Sequence, residues 1–98
     1  MLTKENILLE SKIVQMPGNI VSDMDGEKVM LNIENGNYYN LGKLGGDIWE
    51  MVKKPIEVRS IIIKILSEYD VDESECEKQV ISFANKLFSE GLITVVNG

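Results

Sequence analysis

The sequence predicts an α+β domain in which a three-stranded antiparallel meander is followed by three helices. Period-2 alternation and tight-turn dipeptides occupy the first half of the chain, whereas helical apolar spacing occupies the second half. The 98 residues suffice for one small core, and the hydrophobic content of 44% is typical of a folded globule. We predict that residues 1–19 form an N-terminal arm, in which Ile13–Gln15 can pair loosely with the sheet edge, and that residues 20–96 form the domain.

The first two strands are predicted from alternation and turn chemistry. The meander begins with Ile20–Met24, and the dipeptide Asp25-Gly26 predicts a tight turn after it. In the second strand, apolar residues alternate with other residues: Val29, Leu31 and Ile33 against Lys28, Met30 and Asn32. This period of two indicates a half-buried strand. Asn35-Gly36 then predicts a type I′ hairpin turn, because this dipeptide readily supplies positive φ at both central positions.

The third strand, Asn37–Leu41, has an edge that its sequence does not protect. It carries no charge and no proline, which are the features that normally keep an edge strand from pairing with another chain. A meander places its first and third strands at its edges, and the first edge carries Asp23 and Asp25. We therefore predict that the third strand is open to pairing with an added strand.

Three helices follow the meander. The first covers Asp47–Val52, with Gly42–Gly46 leading into it, and it ends before a proline. The second covers Val58–Tyr69, where apolar residues recur at helical spacing. The third covers Glu73–Glu90 and ends at a glycine. The β-branched run Leu92–Val96 predicts a short terminal strand.

The third helix carries apolar residues on more than its core-facing side. A helical wheel places five residues on a core stripe: Cys76, Val80, Phe83, Ala84 and Leu87. One flank of this stripe is polar: Gln79, Ser82, Lys86 and Ser89. The other flank carries two large apolar residues bracketed by polar ones: Ile81 and Phe88, with Glu77, Lys78 and Asn85. Either Ile81 and Phe88 pack on a neighbouring element, or this second flank forms a groove with the open edge of the third strand.

The residue types that carry most catalysis and metal binding are absent or poorly placed for it. The chain has no histidine, and its one cysteine, Cys76, lies on a helical core stripe where an unreactive thiol is expected. The acidic run from Asp70 to Glu77 lacks the spacing of a calcium loop, and Gly42–Gly46 lacks the residue order of a phosphate loop. We therefore predict that the protein is not an enzyme and binds no metal or cofactor.

Composition also restricts the partners and the location. The net charge of −6 disfavours nucleic acid, whose binding depends on Lys and Arg. No apolar run reaches the ~18 residues of a membrane span, and Met1–Gln15 lacks the pattern of a signal peptide. A single cysteine suits a reducing compartment. We expect a cytoplasmic protein without a nucleic-acid or membrane partner.

Several short motifs keep the order and spacing of a known family: Val29–Asn32, Tyr38–Leu41, Gly46–Glu50, Ile65–Tyr69, Val80–Phe83 and Leu87–Ile93. From Ile20 to Ile93 the chain resembles the PqqD-like RiPP recognition element, and most of all the stand-alone subunit of lasso-peptide biosynthesis. The resemblance implies an architecture like that of a winged helix-turn-helix. It also implies a peptide chaperone that binds the leader segment of a ribosomally made precursor and delivers it to a leader peptidase or other modifying enzyme.

The resemblance further implies that the leader adds as a strand to the third strand and packs against the third helix. The implied contact residues are Asn37, Tyr38, Tyr39, Asn40 and Leu41 on the strand, and Glu77, Lys78, Ile81, Asn85 and Phe88 on the helix. Gln79 departs from the family pattern, since many relatives carry an acidic residue there. Because Leu41 suggests an inward face, alternation directs Tyr39 inward and leaves Tyr38 more available to a ligand.

The resemblance also names the expected partners. Lasso-type leaders share a Tyr-x-x-Pro motif, so an aromatic ring and a proline are expected in the groove. A cysteine leader peptidase is the expected enzyme partner, with a macrolactam-forming cyclase as a further candidate.

Two other functions stay open, together with the oligomeric state. A winged-helix DNA-binding regulator would place the second or third helix in a major groove, although Lys78 and Lys86 lie on opposite flanks. A subunit that only tethers other proteins would look the same in sequence. An open edge also allows either a monomer or a strand-swapped dimer.

Overall fold

The computed structural model describes residues 7–96, which form six strands and three helices. In chain order these are β1 (Lys12–Gln15), β2 (Asn19–Met24), β3 (Glu27–Asn32), β4 (Tyr38–Leu41), α1 (Gly42–Met51), β5 (Ile56–Glu57), α2 (Val58–Glu68), α3 (Glu73–Ser89) and β6 (Ile93–Val96). The predicted α+β class is confirmed, because β2, β3 and β4 form an antiparallel meander ahead of the three helices. The fold also contains a second three-stranded sheet, with the strand order β5-β1-β6. No helix within these residues is long and apolar enough to cross a membrane.

The N-terminal segment belongs to this second sheet and not to the edge of the meander. β1 is the middle strand, in which Lys12 pairs with Glu57 on one side and with Val96 on the other. Ile13 is fully buried in the core, and Ile7 is buried as well. From residue 7 onward, the structure therefore replaces the expected loose arm with a packed strand, because burial of Ile13 holds it in place. Residues 1–6 of the predicted arm lie outside the described residues.

The two turns of the meander differ in type. Asp25 and Gly26 both have positive φ, at 56° and 84°, and Met24 pairs with Glu27 around them. This is the geometry of a two-residue type I′ hairpin, so the predicted tight turn is confirmed.

The predicted type I′ turn at Asn35-Gly36 is wrong. Only Gly36 has positive φ, at 73°, and residues 33–37 separate β3 from β4. The Asn32 side chain accepts a hydrogen bond from the Asn35 amide at 2.8 Å, and the Asn35 side chain accepts one from the Asn37 amide at 2.8 Å. Asparagine side chains thus replace backbone groups in closing a longer loop.

The residues of β3 that face the core are not the ones that its apolar alternation favours. Met30 is fully buried, whereas Val29 and Leu31 are half-buried on the other face. Lys28 shares the inner face with Met30, and its stem lies over Gly46 of α1, where a Cβ would collide with Lys28 Cγ. Lysine can occupy this face because its stem is apolar and its ammonium group reaches the surface.

α2 and α3 lie close to their predicted bounds, whereas the start of α1 differs. α1 begins at Gly42, immediately after β4, and not at the predicted Asp47. The carboxylate of Asp72 caps α3 by accepting a hydrogen bond from the Glu75 amide at 3.1 Å. Gly91, with a φ of 78°, follows α3 as predicted.

The core joins both sheets and all three helices. α1 packs on β3, α2 packs on α3, and α3 packs on β6. The largest fully buried side chains are Ile13, Met30, Ile61, Ile65, Leu92, Ile93, Val52, Val58 and Val80. Cys76 is also buried, and burial raises the pKa of its thiol. The position of Cys76 therefore agrees with the unreactive thiol predicted from the sequence.

Candidate functional site

β4 is an edge strand of the meander. It pairs with β3 on one side, and no strand within residues 7–96 pairs with its other side. Its pairing ends in a bulge, because Asn40 lies opposite Val29 whereas Gly42 lies opposite Lys28, which leaves Leu41 as an extra residue. The strand therefore presents a short free edge directly before α1 begins.

The backbone of this edge offers hydrogen bonds to a ligand. The Asn32 amide donates to the Asn37 carbonyl at 3.0 Å, so these residues occupy a bonded position of the antiparallel ladder, although only one of its two hydrogen bonds forms. Bonded and non-bonded pairs alternate, so Tyr39 belongs to the next bonded pair with β3. The amides and carbonyls of Tyr38 and Asn40 consequently point away from β3, toward an added strand.

The side chains of β4 alternate as predicted. Tyr38 is 72% exposed, whereas Tyr39 and Leu41 are half-buried and pack against the core. Tyr39 lies opposite the buried Met30 on the inner face of the sheet. Tyr39 therefore points inward and Tyr38 lies at the surface, as expected, and contact of Tyr38 with a ligand stays a prediction.

A groove of about 180 Å³ lies between β4 and α3. Its lining comes from the strand, the helix and the segment after the helix: Tyr38, Tyr39, Asn40, Leu41, Phe83, Lys86, Leu87, Glu90 and Leu92. Gly45 of α1 lets two of these side chains pack closely on the helix, since a Cβ there would lie 2.9 Å from Phe83 Cζ and 3.2 Å from Leu41 Cβ. Leu87 and Leu92 are buried, whereas Lys86 and Glu90 are exposed. The groove thus combines apolar lining with charged groups at the surface.

A hydrogen-bond network joins the two walls of this groove. The Tyr39 hydroxyl donates to Glu90 Oε1 at 2.9 Å. The Tyr39 hydroxyl oxygen also accepts hydrogen bonds from Asn35 Nδ2 at 3.2 Å and from Asn37 Nδ2 at 3.4 Å. The network connects β4, the loop before it and the residue that caps α3, so it sets the separation of strand and helix before any ligand binds.

The structure brings four of the five predicted strand residues, Tyr38–Leu41, to the groove, and Asn37 lies in the loop beside it. None of the five predicted helix residues lines the groove. Glu77, Ile81, Asn85 and Phe88 lie on the opposite flank of α3, and Lys78 borders a shallow depression that continues the groove along the helix.

The N-terminal segment accounts for the more apolar flank of α3. The Ile7 amide donates to Asn85 Oδ1 at 3.0 Å, and Ile7 itself is buried. Ile81 and Phe88 are half-buried and pack against the core. The structure therefore supports the alternative in which these two residues pack within the fold, and it places the groove on the other flank.

Four groove residues of α3 and its cap were not assigned to the site from the sequence: Phe83, Lys86, Leu87 and Glu90. Phe83 and Leu87 were assigned to the core stripe, and Lys86 to the polar flank. The signal that could have found them is the boundary of the stripe, where apolar Phe83 and Leu87 adjoin charged Lys86 and Glu90 at helical spacing.

The groove offers little to a metal ion or to DNA. Within the described part of the chain, no three His, Cys, Asp or Glu side chains gather as metal ligands do. Glu73 and Glu75 occupy the first turn of α3, and Lys78 and Lys86 are its two basic residues. A helix with this charge distribution lacks the basic surface that holds a DNA backbone.

The sequence profile of the PqqD family, described as coenzyme PQQ synthesis protein D, matches residues 27–93. The match covers more than half of the chain, from β3 through all three helices. The chain belongs to the PqqD family. The family predicted from the sequence motifs is confirmed. No curated protein matches this PqqD-family sequence significantly.

Two solved structures share the fold of this PqqD-family chain. TbiB1, in complex with the TbiA(beta) leader peptide, superposes with a TM-score of 0.75 at 24% identity, covering 87% of this chain and 99% of that chain. A lasso peptide synthetase B1, complexed with the leader peptide, superposes with a TM-score of 0.72 at 20% identity, covering 84% and 96% respectively. At these identities the comparison establishes the common fold.

Proposed function

We propose that this protein binds the leader segment of a ribosomally made precursor peptide by strand addition to β4. The observation that carries the proposal is the free edge of β4 beside the groove. The outward amides and carbonyls of Tyr38 and Asn40 supply backbone hydrogen bonds that do not depend on the leader sequence. The groove beside them supplies apolar contacts that do depend on it.

The proposed ligand is a lasso-type leader with a Tyr-x-x-Pro motif. Membership of the PqqD family and the fold shared with two leader-bound lasso proteins support this choice. A leader tyrosine suits the groove because its ring covers the buried Leu87 and Leu92 while its hydroxyl reaches polar groups. A leader proline is compatible at a position whose nitrogen faces away from β4, because proline has no amide to donate.

In this proposal the protein is a delivery subunit and not an enzyme. It presents the leader to a cysteine leader peptidase, and a macrolactam-forming cyclase is the second enzyme expected to use the same precursor. Edge pairing leaves the rest of the precursor free to extend from the groove into such an enzyme. The cytoplasmic location stays a prediction.

Titration with a fluorescently labelled synthetic leader peptide that carries a Tyr-x-x-Pro motif tests the proposal. We expect saturable binding that a chelator does not change and that is lost in Asn40→Pro. Asn40→Ala is the matched control, because it removes the same side chain and keeps the amide. Absence of binding to the wild type contradicts the function, and equal binding by both variants contradicts strand addition at this residue. A DNA duplex shifted by the protein at low salt supports the regulator instead.

A further inference from the structure

Lys86 places a positive charge on the wall of the groove. Its side chain lines both the groove and the shallow depression that continues along α3 past Lys78. Lys86 is exposed, and it forms no ion pair with any residue in the range 7–96. The charge is therefore available to a ligand in the groove.

No acidic residue in the range 7–96 forms an ion pair with Lys86. Glu90, one helical turn further on, accepts the hydrogen bond of Tyr39 across the groove. Glu73 and Glu75 lie in the first turn of α3, at its other end, and Glu77 lies on the opposite flank. The chain has a net charge of −6, so a lysine without an acidic partner at this edge contrasts with the charge of the molecule as a whole.

We propose that Lys86 determines specificity by selecting peptides with an acidic side chain opposite it in the groove. This inference rests on the proposed function and narrows its ligand class. The backbone bonds of β4 accept any extended peptide, whereas the ammonium group of Lys86 favours Asp or Glu at one peptide position and disfavours Lys or Arg there. Because Lys86 is exposed, the preference is modest and declines as salt screens it.

Selection from a displayed library of random peptides tests the inference. The library is sorted on the wild type, on Lys86→Glu and on Lys64→Glu, which makes the same charge change on exposed α2 away from the groove. We expect one peptide position to be enriched in Asp and Glu on the wild type and on Lys64→Glu. The same position should be enriched in Lys and Arg on Lys86→Glu. An acidic preference that persists unchanged on Lys86→Glu, or its absence on the wild type, overturns the inference.

A charge-swap cycle on one enriched peptide measures the same contact. Reversing either Lys86 or the acidic peptide residue should weaken binding about 2–5-fold, and reversing both should restore most of the affinity at low salt. Failure of the double reversal to restore affinity counts against a direct contact. Failure of this inference can be told apart from failure of the proposed function. If the proposed function is wrong, no peptide is enriched on the wild type, or the enriched peptides bind Asn40→Pro as well as they bind Asn40→Ala.

Discussion

The Tyr39 hydroxyl donates a hydrogen bond to Glu90 Oε1 at 2.9 Å and thereby joins the edge strand β4 to the residue that caps α3. The two residues are 51 positions apart in the sequence, and both line the groove. A hydrogen bond between the two walls restricts their relative movement. The groove is therefore preorganised, which lowers the cost of binding a flexible peptide.

Removing this hydroxyl should weaken leader binding while the domain stays folded. In Tyr39→Phe the ring still packs on the core, so the free energy of unfolding should fall by only about 0.5–1.5 kcal/mol. Leader affinity should fall severalfold, because the strand and the helix are no longer held at one separation. Tyr69→Phe is the matched control, since it also removes a hydroxyl that donates to a carboxylate, that of Asp47, but lies outside the groove lining. Chemical denaturation measures the free energy of unfolding of both variants, and peptide titration measures their leader affinity. Equal leader affinities of the two variants contradict the prediction.

Proline at alternate positions of β4 should separate binding from folding. Tyr38→Pro removes an outward amide, so it should abolish leader binding while the domain stays folded. Tyr39→Pro removes an amide that bonds to β3, so it should destabilise the meander, by about 3 kcal/mol if its cost resembles that of a helix-interior proline. Circular dichroism and peptide titration distinguish the two effects, with Tyr38→Ala as the control for the lost ring.

Hydrogen exchange provides an independent check on the same edge. The amides of Tyr38 and Asn40 should exchange rapidly in the free protein and slowly in the complex, whereas the Tyr39 amide should be protected in both. If the Tyr38 and Asn40 amides are already protected in the free protein at concentrations that exclude dimers, the edge is covered and the ligand binds elsewhere.

The free edge and the helices could be predicted because they depend on local sequence. Absence of charge and proline in Asn37–Leu41 indicates an open strand whatever packs beneath it. The helical period of Val58–Tyr69 likewise needs no tertiary information. The alternation of Tyr38 and Tyr39 followed from Leu41 alone, and the structure agrees.

The position of the groove on α3 could not be predicted in the same way. A helical wheel shows which flank is more apolar, but not which flank another segment covers. Here the segment containing Ile7 is hydrogen-bonded to Asn85, more than seventy residues away in sequence. Ile81 and Phe88, on the same flank as Asn85, pack against the core. The face of β3 was missed for a related reason, since Lys28 lies on the inner face only because Gly46 makes room for its stem.

The contact between Tyr69 and Asp47 predicts a loss of stability at alkaline pH. The Tyr69 hydroxyl donates to Asp47 Oδ2 at 2.5 Å, and this hydrogen bond to a carboxylate raises the pKa of Tyr69 above its ordinary value of 10. A pKa raised by folding means that the contribution to stability is complete below pH 10 and is lost as the pH rises through the folded-state value. Thermal unfolding across this range should show a smaller alkaline loss in Tyr69→Phe than in the wild type, whereas Tyr38→Phe should follow the wild type.

Two half-buried phenylalanines on opposite flanks of α3 provide the sharpest test of where the leader lies. Phe83 lines the groove, whereas Phe88 packs against the core on the flank that carries Asn85. Because both rings are half-buried, Phe83→Ala and Phe88→Ala should each lower the free energy of unfolding by about 1–3 kcal/mol. Only Phe83→Ala should also weaken leader binding, by about tenfold or more if the ring anchors the ligand.

The comparison needs temperatures at which both variants are folded, so thermal melts precede the peptide titrations. Ile81→Ala should behave like Phe88→Ala, because Ile81 lies on the same flank and is half-buried too. If Phe88→Ala and Ile81→Ala lose affinity while Phe83→Ala keeps it, the leader occupies the flank inferred from the sequence and the N-terminal segment must leave that flank on binding. Retention of affinity by Phe88→Ala together with its loss in Phe83→Ala places the leader in the groove between β4 and α3.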